Sequence, residues 1–322
     1  MPRELDPRLL RAFTAVAAEL HFTRAAARLF VAQQALSRDI RRLERELGTE
    51  LFVRTTRQVS LTPDGERLLP YAQAVLTAYE ELDAAFATGG PRPLLVDLNT
   101  AGMTSSRVLD RARELAPHCE LMARFESGLT WAAGEILAGR LDVSFGRVAG
   151  LDPAVRARLD WQAVRYEPMA VLLPEGHPLT DRPHVETPAL AGEAVYAGAG
   201  NPRTREWTDL AARLFDAHGI RVAAPAPLAV GKEEFRRVMA KSRTPVLAVV
   251  DFPAMPGAVL RPLVSPVPLS PVALVWRKGL RHPGLDALRD AAAELAAREH
   301  WLAVPEDAWL PAADAAVMGH RA

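Results

Sequence analysis

Leu9, Leu10, Phe13, Val16, Ala17 and Leu20 recur at the spacing of one helical face, and Asp6 followed by Pro7 offers an N-cap and a first-turn residue. A first helix is expected there. Thr23 can cap a second, short helix, RAAARLF, whose Ala25, Ala26 and Ala27 allow close packing. After a tight break at Val31 and Ala32 a third helix starts near Gln33, with Leu36, Ile40, Leu43 and Leu47 as its buried stripe and Gly48 as its stop. Two short helices joined by a tight turn form a helix-turn-helix, in which the second helix enters the major groove of DNA. LFVR and VSL, parted by TTRQ, read as a two-stranded wing.

A longer helix is expected to open at Thr62 as cap with Pro63 in its first turn and to continue to about residue 87. Leu68, Ala72, Val75, Tyr79, Leu82 and Phe86 follow steps of 4, 3, 4, 3 and 4 along it, which is a heptad seam. A second copy of the chain is the simplest partner for that seam, and packing on the helix's own domain is the alternative. TGGPRP cannot continue the helix and marks a hinge.

From residue 94 the rhythm alternates between strand and helix. LLVDLN, LMARF and LDVSFG read as buried strands, with SSRVLDRARELA and LTWAAGEILAG as the helices between them. That alternation points to βαβ units around a parallel sheet. MAVLLP, AVYAGA, PVLAVV and VALVW are later strand candidates, and helices are expected over 203–217, 233–240 and 283–298. The fold expected is an α/β C-terminal domain preceded by an all-α winged helix-turn-helix and a long linker helix.

A chain of 322 residues exceeds one ordinary domain, and 49% apolar with 24% charged residues is a globular balance. The single cysteine, Cys119, excludes an internal disulfide, and no Cys/His spacing points to a metal. The opening segment carries Arg11 and Glu19 among its apolar residues, so it reads as an amphipathic helix and not a signal peptide; no apolar run is long enough for a membrane span. A cytoplasmic protein without metal or cofactor is expected. Formal net charge is zero, yet between His21 and Arg57 eight arginines stand against four acids, a local charge of +4. That segment is the one suited to a polyanion.

The stretch FTRAAARLFVAQQALSRDIRRLERELGTELFVRTTRQVSLTPDGERLL closely resembles the DNA-binding domain of LysR-type transcriptional regulators, over roughly fifty positions in one order. EILAGRLDVSFG and EGHPL extend the likeness into the second half, so that it covers about residues 5–300. The resemblance implies a sequence-specific regulator that binds a double-stranded DNA operator as a dimer or tetramer, and RNA polymerase if it activates. The parts expected are a winged helix-turn-helix 1–62, a linker and dimerisation helix 63–88, a hinge 89–92 and an effector domain 93–302, which leaves a tail 303–322. The resemblance also implies two subdomains of periplasmic-binding-protein type, 93–162 with 269–302 and 163–268, with a small molecule in the cleft between them. The tail has no counterpart in the family pattern; docked and disordered forms are both open.

Base reading needs side chains that reach base edges from the recognition helix, and Gln33, Gln34, Ser37 and Arg38 lie opposite its buried stripe. Arg41, with Arg54 and Arg57 at the wing, and Thr23 at the second helix's start suit phosphate or groove contacts. An ordinary solvated helix face is the plainer reading of the same residues. Three positions depart from the family pattern. Ala32 replaces the usual capping Ser, Gln34 a proline or small residue, and Asp39 a neutral polar one.

Ligands of open α/β domains gather at the carboxyl ends of strands, where helix N-termini present free amides. Thr100, Thr104 and Ser105 lie at the first such place, Ser127 and Thr130 at the second, Arg147 after the third strand, and Gly198 and Arg203 after AVYAGA. Hydroxyls, amides and arginine suit a carboxylate or another small anion, while helix capping alone is the alternative for each cluster. No GxSxG, GxxxxGK[ST] or HExxH motif supports an enzyme. A redox response through Cys119 or a regulator without ligand are alternatives for the sensing half; a pure solute-binding protein does not account for the first ninety or so residues.

Overall fold

The computed structural model describes residues 5–54, 59–86, 92–98, 102–125, 128–225, 237, 241 and 243–319. They fall into two compact units, Met1–Gly90 and Pro91–Ala322.

The first unit holds α1 (Pro7–Glu19), α2 (Phe22–Arg28), α3 (Gln33–Leu47), the strands β1 (Phe52–Arg54) and β2 (Val59–Leu61), and α4 (Pro63–Phe86). Asp6 caps α1, its Oδ1 accepting from Arg8 N at 2.8 Å. The second helix is capped by His21 and not by Thr23, and so begins earlier than expected: Nδ1 of His21 accepts from Arg24 N. At α3 the cap is Ala32, which makes no side-chain bond, and Gly48 closes the helix in the left-handed region. Leu9, Leu10, Phe13, Val16, Ala25, Leu36, Ile40, Leu43, Leu51 and Phe52 form one core. Phe52 meets Phe13 and Phe22 at ring-centroid separations of 5.5 and 6.0 Å, which fastens the wing to the helices. Thr62 caps α4 by accepting from Gly65 N at 3.0 Å. Gly65 is required there, because a Cβ would lie 2.3 Å from the carbonyl oxygen of Leu51.

The second unit contains β3 (Leu94–Asp97), α5 (Thr104–Leu115), β4 (Leu121–Arg124), α6 (Leu129–Leu137), β5 (Val143–Gly146), α7 (Pro153–Arg156) and β6 (Leu159–Pro174). There follow β7 (Val185–Glu186), β8 (Ala194–Val195), α8 (Arg205–His218), β9 (Arg221–Val222), β10 (Val246–Val249), β11 (Ala258–Val264) and β12 (Val267–Arg277). The chain ends with α9 (Pro283–Arg298), β13 (Ala308–Trp309) and α10 (Ala312–Val317).

The first three strands run parallel, in the order β4-β3-β5, as the βαβ rhythm requires. The sheet as a whole is mixed, because β12 is antiparallel to both β5 and β6. β6 is longer than MAVLLP suggested. Asp160, Gln162, Arg165 and Glu167 interrupt its apolar pattern, yet this half pairs with β12 as far as Pro168, and from Met169 the strand pairs with β10 and β11. β6 and β12 therefore pass from one lobe to the other. The first lobe is filled on its two faces by the α5/α9 and α6 clusters, and the second by the cluster around Leu210, Leu214 and Phe215. AVYAGA forms a strand over Ala194–Val195 alone, and the helix expected at 233–240 lies almost wholly outside the described residues.

The tail is docked. Val267 and Pro268 of β12 pair in parallel with Ala308 and Trp309, and Trp161 Nε1 donates to the Val317 carbonyl at 3.1 Å.

Candidate DNA-reading face and effector cleft

The rotation of α3 is set by Leu36, Ile40 and Leu43, which are at most 1% exposed. That burial turns Gln33, Gln34, Arg38 and Arg41 to solvent, with Ser37 half-buried between them. Thr23 is exposed at the start of α2, and its hydroxyl donates to Gln33 Oε1 at 3.4 Å, so the two helix starts share one surface. Arg38 and Arg41 have no acidic partner among the described residues; their nearest polar contacts are helical, Arg38 Nε to the Gln34 carbonyl and Arg45 Nε to that of Arg41. Asp39, which would repel phosphate, is instead held toward α1 by Arg8 at 3.3 Å. Arg57 and the side chain of Arg54 lie outside the described residues.

The heptad seam on α4 divides. Ala72 is buried and Leu68 packs on the unit's own core beside Leu69 and Leu76, because α4 must close the bundle against α1. Val75, Tyr79 and Leu82 remain exposed and are joined by Tyr71, which the seam omitted and which is 68% exposed. The side chain of Phe86 lies outside the described residues.

In the second unit, the expected ligand residues meet different fates. Thr100 and Ser127 lie outside the described residues. Thr104, Ser105 and Ser106 are buried in the first turn of α5, whose N-cap, Met103, makes no side-chain bond. Thr104 Oγ1 donates to Glu167 Oε1 at 2.5 Å and accepts from Arg165 Nη1 at 3.1 Å; the same nitrogen reaches Asp251 at 2.5 Å. Burial pushes the Glu167 carboxyl up, although Thr104 and Arg165 oppose the shift. Trp301 backs the cluster: the guanidinium carbons of Arg165 and Arg107 each lie 5.0 Å from its ring centre.

Thr130 is already occupied. Glu206 of α8 caps α6 from the opposite lobe, its carboxylate accepting from Leu129 N at 2.8 Å, Thr130 N at 3.1 Å and the Thr130 hydroxyl. Arg147 does not enter the cleft as a free cation. It is 5% exposed and bonded to Asp314 and Asp209. Burial would lower its pKa, but the bonds and charges of Asp314 and Asp209 outweigh burial and raise it. Arg203 stacks on Trp131, 5.1 Å from the ring centre, and Gly198 turns in the left-handed region with its carbonyl accepting from Thr208.

Arg165, Glu167, Glu206, Asp209, Asp251 and Asp314 did not stand out in the sequence. Strand alternation could have placed Arg165 and Glu167 on one face of β6; the others carry no local signal. Cys119 is 6% exposed within the α5/α9 cluster. Among the described residues no helix is long and apolar enough to cross a membrane, and no three His, Cys, Asp or Glu side chains group as metal ligands.

The model for "Bacterial regulatory helix-turn-helix protein, lysR family" matches residues 7–66, and that for "LysR substrate binding domain" matches residues 99–297. The chain is 34% identical over 220 residues to the HTH-type transcriptional regulator CatR of Pseudomonas putida, covering 68% of this chain and 74% of that protein. It is 30% identical over 316 residues to the Hca operon transcriptional activator HcaR of Escherichia coli, covering 89% and 95%. A full-length OxyR variant of Pseudomonas aeruginosa shares the fold at a TM-score of 0.64 and 24% identity, over 90% of this chain and 95% of that one.

Proposed function

The chain belongs to the LysR-type transcriptional regulators, and from that premise we propose that it reads an operator with the exposed face of α3 and reports a small anionic metabolite bound between the lobes of its second unit. The observation that carries the DNA half is the exposed set Gln33, Gln34, Arg38 and Arg41, in which neither arginine is paired with an acid among the described residues. Gln pairs bidentately with adenine and Arg with guanine, and Arg41, with Arg57 and Arg54 at the wing, supplies phosphate charge. The exposed stripe Tyr71, Val75, Tyr79 and Leu82 on α4 supports a two-fold dimer, which sets two half-sites on the DNA. Tetramers and contact with RNA polymerase follow for an activator of this family.

The sensing half rests on the α5 N-terminus. Its N-cap, Met103, makes no side-chain bond, Thr104 and Ser105 sit buried in the first turn, and Arg165, which also holds Asp251, donates to Thr104. These groups suit a carboxylate. Arg147, Arg203 and Thr130 are engaged elsewhere and support the site indirectly.

Fluorescence-anisotropy titration of duplex genomic fragments between about 50 and about 300 mM salt tests the DNA half: binding should weaken steeply with salt, and Arg38→Ala should bind more weakly throughout with a slope no steeper than the wild type's. A thermal-shift screen with mono- and dicarboxylates tests the sensing half. An upward shift that Thr104→Val abolishes supports the cleft, and equal shifts in both proteins reject it.

A further inference from the structure

Residues 303–319 lie beyond the stretch matched by the substrate-domain model, yet they touch both lobes. Trp309 packs against the core of the second lobe, while Val317 and Met318 pack against the α6 cluster of the first. Between these two footholds Asp314 is buried to 1% exposure and clasps Arg147 through two bonds of 2.8 Å, Nε to Oδ1 and Nη2 to Oδ2.

The remaining arm of Arg147 faces the other lobe. Nη1 donates to the Glu206 carbonyl at 2.9 Å and to Asp209 Oδ2 at 2.6 Å, both on α8. The same turn of α8 sends the Glu206 carboxylate to the start of α6. At this seam the backbones approach closely enough that glycine is required: a Cβ on Gly128 would lie 2.2 Å from the Arg203 carbonyl oxygen, and one on Gly150 would lie 2.7 Å from Glu206 Cβ. A guanidinium held at three of its corners is rigid. Without Asp314, two donors of a buried cation lose their partners, and the bridge to α8 loses its fixed end.

We propose that the C-terminal segment is a strap that sets the closure of the effector cleft, with Asp314 as its positioning residue. The segment acts through Arg147: it holds the guanidinium so that α8 and α6 stay sealed, and thereby fixes how far an effector must work to open or tighten the lobes. This reading rests on the cleft being the sensing site, but the closure itself is measured without any effector, so the two ideas fail separately.

Hydrogen–deuterium exchange on the full-length chain tests it. The amides of Leu129 and Thr130 are held by Glu206 alone among the described residues, so they report the seam and not the strap. In Asp314→Asn, peptides over 128–137 and 203–210 should exchange about tenfold faster through local opening, while those over 94–98 and 283–298 keep their protection. Asp314→Glu should restore part of the protection. Acceleration confined to 308–319 would overturn the proposal. If Asp314→Asn loosens the whole unit, Trp309→Ala decides, since it removes the other foothold without touching Arg147: faster exchange over 128–137 supports the strap, and unchanged exchange there rejects it.

Discussion

Arg147 and Asp314 are joined by two parallel hydrogen bonds of 2.8 Å, with the arginine 5% and the aspartate 1% exposed. They stand 167 positions apart in the chain. Such a pair is costly to break and less costly to replace, because desolvation offsets much of its attraction. Asp314→Ala should lower the stability of the second unit by about 3–5 kcal/mol in urea unfolding, whereas Arg147→Met combined with Asp314→Leu should cost less than that single change. Equal losses for the single and the double variant would contradict a buried, paired origin.

The Glu167 carboxyl gives a pH signature. Burial raises its pKa above the ordinary 4.5, so the folded chain keeps a proton that the unfolded chain has released. The folded state then binds more protons over that window, and stability falls as pH rises from the unfolded value toward the folded one. Glu167→Gln is neutral at every pH and removes this slope. Melting temperatures of the two proteins should therefore be similar below the ordinary carboxylate range and diverge in favour of the variant as pH rises above it. A difference that does not change with pH would count against the carboxyl as its source.

On α4, Tyr79 lies seven residues beyond Ala72 in one heptad pattern, yet Ala72 is buried in the unit's own core and Tyr79 is exposed. Tyr79→Glu should shift the chain toward the monomer in sedimentation velocity with little effect on melting of the first unit. Ala72→Glu should instead unfold that unit, since it places a charge in its core. Unchanged association for Tyr79→Glu would remove the stripe as the dimer contact.

The helical half of the protein was legible because each of its decisions is local. Asp6, Pro7 and Gly48 act within a turn of the helix ends, and Leu36, Ile40 and Leu43 set by their spacing which face of α3 is exposed. The sensing half was legible in its strand and helix rhythm but not in its chemistry. The polar first half of β6 hides a strand because it lies at the lobe crossing, where one side is not core. Glu206 caps a helix that begins 77 positions before it, and a pairing at that range leaves no trace in spacing. Thr130 and Arg147 drew notice as ligand residues because a free cap and a free cation look alike in sequence whether a metabolite or the chain's own carboxylate answers them. The seam on α4 was read as one surface since 3.5-residue periodicity does not record which partner each turn meets.

In the proposed reading, Arg38 contacts bases and Arg41 contacts phosphate. Arg41→Ala, and Arg57→Ala at the wing, should weaken all duplexes similarly and lower the slope of log affinity against log salt by about one. Identical slopes for these variants and the wild type would remove them from the phosphate contacts.

The central claim is that the α3 face selects particular DNA sites, and selection from a genome measures it most directly. Purified full-length protein is mixed with sheared genomic DNA from its source, and the retained fragments are sequenced, in parallel with Arg38→Ala. The expected result is strong enrichment of a few sites, each with two similar half-sites one or more helical turns apart, about 10 base pairs or a multiple. The same sites should lose enrichment with Arg38→Ala. Retention of fragments without sequence preference by the wild type, or an unchanged set of sites with Arg38→Ala, would contradict the account.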